Sequence, residues 1–181
     1  DVLPEIHFDQ KLEINWRQER CAYREAIELL IRAVWNHSAY RIEEGMDSRT
    51  ILFCHIIRDA DKSDILKVAY DIPMEVIYNV SADEIRAAQV TDEVMQQFRE
   101  KHAILRSVKR TPIDNIVGHM ALVFELEFSV SLQLVKEQGY LERLLQFDSG
   151  NPVTKAQFQE LRQCMETYLG NTTCLSERAN L

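Results

Sequence analysis

The sequence predicts an all-α protein. Only five Gly and four Pro occur in 181 residues, which leaves long stretches without a chain breaker. Apolar side chains recur at helical spacing over most of the chain, and several segments open on cap signals. Apolar residues make up 46% of the chain, enough to bury a core at this length and too many for a disordered or fibrous protein. A single helical domain is expected over residues 1–181, with an irregular segment at 1–16, a helical core at 17–169 and a frayed tail at 170–181.

Residues 1–16 supply apolar anchors (Val2, Leu3, Ile6, Phe8, Leu12, Ile14 and Trp16) without a sustained period. From Arg17 to His37 the spacing of Tyr23, Ile27, Leu30, Ile31, Val34 and Trp35 predicts a helix with one apolar face, and Arg20, Arg24, Glu25, Glu28 and Arg32 fill much of the other side. Gly45 and Asp47-Ser48 mark a loop and then a cap. A helix runs from Arg49 towards Asp59 and a further turn or helix through Lys62 to Tyr70, stopped at Asp71-Ile72-Pro73 because the residue before proline disfavours helical backbone.

Ser81-Ala82-Asp83-Glu84 is a capping box, so a helix of about nine residues should follow. Thr91 caps the next, with Val94, Met95, Phe98 and His102 on one face. Thr111-Pro112 places proline at the first helical position of the most apolar segment in the chain, which runs to Leu126 and is expected to lie at the centre of the fold. A helix from Val130 ends at Gly139, a short one runs through Phe147, and the last begins at Asn151-Pro152 and ends near Gly170.

The formal charge of −8 argues against a nucleic-acid partner, since a phosphate backbone would be repelled, but it is compatible with a small cationic pocket for one phosphate. Cys21, Cys54, Cys164 and Cys174 form no Cys-x-x-Cys pair, so buried free thiols are expected rather than a zinc or redox site. No apolar run reaches ~18 residues, no signal peptide is recognised and no Gly-rich phosphate loop occurs. A cytoplasmic protein with no membrane partner is the expectation.

The segment with the most chemistry is Ile57-Arg58-Asp59-Ala60-Asp61-Lys62-Ser63-Asp64-Ile65-Leu66. Three carboxylates and two cations fall within seven residues between strongly apolar flanks. A carboxylate held near the interior needs a cation, a hydrogen-bond donor or a metal, so the segment is an ion-pair junction or one wall of a metal site. Arg58 and Lys62 lie four apart, either gripping a phosphate or neutralising Asp59, Asp61 and Asp64. His55 and His119 lie in apolar helices, where a core or boundary histidine is the ordinary outcome, and His7 and His102 have no nameable partner.

Arg58-Asp59-Ala60-Asp61-Lys62 with Asp64-Ile65-Leu66 resembles the last motif of the HD-domain metal-dependent phosphohydrolases. Ala33-Val34-Trp35-Asn36-His37, the run Glu137 to Leu145, and Asn151-Pro152 with the last helix are similar to further parts of that family, so the likeness covers residues 25–169. The resemblance implies an HD-domain-like helical bundle, incomplete at its N-terminal side. It also implies a divalent ion (Mn, Mg, Co, Ni or Fe), hydrolysis of phosphate esters of nucleotides or similar small metabolites, and Asp61 as a metal ligand. His37 would be an auxiliary ligand or phosphate contact, although a protonated histidine favoured by the helix dipole accounts for it equally. Arg58 and Lys62 would be the catalytic charge clamp. The family's His-Asp pair is absent, since His7, His37, His55, His102 and His119 are each followed by another residue. The chain by itself is therefore expected to be inactive. The alternative is a non-catalytic helical module for interaction or homo-oligomer formation that lacks the metal centre.

Overall fold

The computed structural model describes the backbone of residues 10–179 and the side chains of residues 22–171. Among these, nine α-helices and two 3-10 turns account for the regular structure and no strand occurs, so the all-α expectation holds. No helix among the described residues is long and apolar enough to cross a membrane. The chain divides into two compact units, Asp1–Arg58 and Asp59–Leu181.

The first unit contains α1 (Gln10–Trp35) and the N-terminal part of α2 (Ser48–Asp71). α1 begins earlier than Arg17. Nothing between Gln10 and Trp35 is Gly or Pro, and a helix once nucleated adds one hydrogen bond for each further residue it fixes. Asp47 caps α2, its carboxylate accepting from the backbone N–H groups of Arg49 at 3.0 Å and Thr50 at 3.1 Å. The face of α1 that carries its large apolar side chains is not the buried one. Leu29 and Ala33 are buried, whereas Tyr23 is 72% exposed, Trp35 is 81% exposed, and Ile27, Leu30, Ile31 and Val34 are also in solvent. Periodicity groups residues onto a face but carries no information on what covers it.

The second unit holds the rest: α3 (Met74–Tyr78), α4 (Ala82–Ala87), α5 (Asp92–Arg99), α6 (Pro112–Ala121), α7 (Ser129–Gln138), α8 (Tyr140–Leu145) and α9 (Pro152–Ala179). The 3-10 turns are Arg106–Val108 and Leu122–Glu125. α6 is central, packing on α4, α5 and α8, and α9 packs on α5, α7 and α8. The core joins Ile113, Ile116, Val117 and Met120 of α6 to Val94, Met95 and Phe98 of α5 and to Phe158, Leu161 and Met165 of α9. Phe124 meets Phe98 and Tyr168 edge-on at centroid distances of 5.0 and 4.9 Å.

Several ends differ from expectation for identifiable reasons. α2 is one uninterrupted helix rather than two. α3 is an unanticipated short helix that starts directly after Pro73 and closes on Asn79 in the left-handed conformation, φ 52°. The Ser81–Glu84 capping box forms, but α4 stops after six residues. Its last carbonyls are taken by distant donors: Arg86 by the Ser149 hydroxyl and the Gly150 N–H, Ala87 by the Asn151 amide, and Ala88 by the Thr154 hydroxyl. Thr91 occupies the N-cap position of α5, yet its hydroxyl donates to the buried carboxylate of Asp114. Gly139 ends α7 with φ 70°, as a C-terminal glycine does, while α9 runs on through Gly170 to Ala179. Cys54 and Cys164 are free thiols. The side chains of Cys21 and Cys174, the backbone of residues 1–9 and His7 lie outside the described residues.

Candidate metal centre at Asp61

The segment 57–66 forms the middle of α2, and each of its charged side chains has a distinct fate. Arg58, the last residue of the first unit, is buried. Its guanidinium donates to the carbonyls of Asn36 at 3.0 Å and Ala39 at 2.5 Å. Those carbonyls bracket His37, so Arg58 holds the turn that carries the histidine. Asn36, also buried, reinforces the turn by donating to the Arg32 carbonyl and accepting from the Glu43 N–H. The Nδ1 of His37 lies 2.6 Å from the Val34 carbonyl. A carbonyl only accepts, so Nδ1 is the donor in this contact. The α1 C-terminus and Arg58 thus hold a partly exposed imidazole by its Nδ1 side.

Asp59, the first residue of the second unit, is buried and accepts from the N–H groups of Glu127, at 3.0 and 3.2 Å, and Phe128, at 3.0 Å. Phe128 is the N-cap residue of α7 and has no side-chain acceptor of its own, so Asp59 caps that helix from 69 residues away. Lys62 is buried and donates to the Glu125 carbonyl at 3.3 Å. Asp64 is exposed. Asp61 is half-buried, and no hydrogen bond or ion pair to it is found among the described residues.

Of the five charged groups from Arg58 to Asp64, three are therefore engaged by backbone groups. Asp61 is the half-buried carboxylate left over. A half-buried carboxylate in that state is one donor type that a hydrolytic divalent centre uses. The fit is partial, because no group of three or more His, Cys, Asp or Glu able to hold a metal occurs among the described residues. The groove lined by Val135, Leu141, Leu145, Arg162 and Met165 holds about 270 Å³ and does not include Asp61.

Ser63 is the unexplained member of the segment. Its hydroxyl is buried with no hydrogen-bond partner among the described residues. Ser63→Ala should raise the unfolding free energy by about 1 kcal/mol, the cost of an unsatisfied buried hydroxyl. Urea titration measures this, and a loss of stability would show that the hydroxyl has a partner.

The remaining histidines are spread through the fold. His55 is half-buried in α2. His102 lies 2.9 Å from Glu100, and its pKa is raised by its bond to the Ala103 carbonyl and by that carboxylate. His119 is half-buried on α6, where burial, with a smaller push from the Lys109 charge, takes the imidazole down to about 4. Sequence reasoning passed over Lys109, whose side chain lies along α6 beside Gly118. The one signal for it was a glycine in an otherwise bulky apolar helix.

No family model matches the chain, and no curated protein and no solved structure matches it either.

Proposed function

We propose that the chain is part of a metal-dependent phosphohydrolase in which Asp61 supplies a metal-ligating carboxylate. One observation carries this: every buried charge around Asp61 has a structural partner, while Asp61, half-buried, has none among the described residues. The family resemblance alone would make His37, which belongs to the other unit, an auxiliary ligand or phosphate contact. Asp61 would hold a divalent ion, which when bound would supply Lewis acidity towards water and a phosphoryl oxygen. Arg58 acts on His37 through the turn that it holds rather than as a direct phosphate clamp, and Lys62 steadies the turn ending at Glu125. The remaining ligands come from outside the described side chains.

The test is hydrolysis of a generic phosphate monoester with Mn²⁺, Mg²⁺, Co²⁺ or Ni²⁺, by the gene-encoded protein including any residues that precede Asp1. Asp61→Ala should lower turnover by roughly 100-fold or more, with metal affinity falling in parallel. Residues 1–181 alone should give background turnover. Undiminished activity of Asp61→Ala would overturn the assignment.

A second reading is favoured by the exposed apolar row of α1, with Leu52 and Ile56 of α2 also in solvent. An exposed apolar row of this kind marks an association site, and a non-catalytic module would use it to bind a partner chain. Metal content and particle size in solution separate the two readings: an assembled, metal-free and inactive full-length protein favours the module.

A further inference from the structure

We propose that Lys109, His119 and Tyr78 form a binding site for a small tetrahedral oxyanion, such as phosphate or the phosphoryl group of a small ester. All three belong to the second unit and none lies in segment 57–66, so the site is independent of the metal centre. Lys109 is half-buried, and its side chain lies flat on α6 against Gly118. A Cβ at Gly118 would fall 2.2 Å from the ammonium nitrogen and 2.5 Å from Cε, so it is the missing side chain that admits the lysine.

The ammonium makes no hydrogen bond or ion pair among the described residues. Asp114 attracts it weakly, but that carboxylate already accepts from the backbone N–H groups of Thr91, Arg110 and Thr111 and from the Thr91 hydroxyl. Arg106 adds a second positive charge, and burial together with that charge lowers the Lys109 pKa. A half-buried ammonium without an acceptor is costly, and an anion is the group that relieves it.

Two neutral donors complete the cluster. His119 follows Gly118 directly, and the Tyr78 hydroxyl lies 3.3 Å from its Nε2 and 3.5 Å from its Nδ1. Both separations exceed the ~2.8 Å usual for a hydroxyl donor, so the hydroxyl is loosely held and can turn to another acceptor. An ammonium, an imidazole N–H and a phenol O–H, beside a carboxylate already satisfied by four other donors, are the complement of an oxyanion. The site is an unbalanced positive spot on a chain whose formal charge is −8.

The experiment is calorimetric titration of the 181-residue chain at pH 7 with inorganic phosphate and, separately, phenyl phosphate, against chloride at matched ionic strength. Saturable binding of one equivalent is expected, weakened about tenfold or more in Lys109→Met. Gly118→Ala should weaken it as well, because its methyl displaces the ammonium. Lys109→Met removes an unpartnered charge, so its Tm without phosphate should equal or exceed that of the parent, and only the phosphate-dependent rise in Tm should vanish. Binding of phenyl phosphate alone would assign the ligand as an ester, and binding of both as the phosphate group itself. No saturable binding beyond chloride, or parental affinity in Lys109→Met, overturns the proposal.

Discussion

Asp59→Ala should lower the unfolding free energy by about 3 kcal/mol. Buried Asp59 accepts three contacts from the N–H groups of Glu127 and Phe128, at the start of α7. Hydrogen bonds to a charged group contribute roughly 1.5–3 kcal/mol each, and they are not additive when they share one carboxylate. Alanine leaves those N–H groups without an acceptor and removes a negative charge from the positive end of a helix dipole. Asp59→Asn retains one acceptor oxygen but turns an NH₂ towards the same donors, so it should recover less than half of the loss. Denaturant unfolding measures both variants, and faster hydrogen exchange in the first turn of α7 gives a local readout. A change below about 0.5 kcal/mol would show that water satisfies the turn as well as Asp59 does.

Acid should destabilise the protein through His119 well above the ordinary carboxylate range. Burial, then the Lys109 charge, lowers this imidazole to about 4 against 6.5 for an unburied histidine. Between those values the unfolded chain binds a proton that the folded chain does not, so stability is complete above pH 6.5 and falls as the pH drops towards 4. The shift corresponds to about 3 kcal/mol, and partial solvent screening of a half-buried ring reduces the expected loss to roughly 2 kcal/mol. His119→Gln removes the titrating group, so its urea midpoint should vary less than the parent's between pH 7 and pH 4.5. Parallel curves for the two proteins would rule out His119 as the source.

These two residues show where reading the sequence stops. Asp59 and Asp61 are two apart in one motif and look interchangeable along the chain. Their difference comes from Glu127 and Phe128, far along the sequence, whose N–H groups meet Asp59. Arg58 and Lys62 likewise read as a phosphate grip or as counter-ions, and the structure gives both to backbone carbonyls. His37 was recognisable as the end of a helix, but only the 2.6 Å approach to the Val34 carbonyl identifies which of its nitrogens is the donor there.

α1 teaches the same point from the other side. Its apolar spacing is regular and predicts its helix, yet Trp35 and Tyr23 face solvent while the smaller Leu29 and Ala33 are buried. Spacing is a property of one helix, whereas burial is a property of two surfaces.

The amino-acid sequence by itself determined the all-α class, the starts of α4 and α6 at Ser81-Ala82 and Thr111-Pro112, the glycine stop at Gly139, and the core position of α6. These follow from interactions that close within about four residues of the chain, or from an apolar excess too large to leave in water. Tertiary structure alone decided that α4 ends at Ala87, that Asp59 caps α7, that Asp61 is left without a partner among the described residues, and that Lys109 rests on Gly118. Each of those depends on a group brought from elsewhere in the chain by packing, and the order of residues along a helix does not encode which group that is.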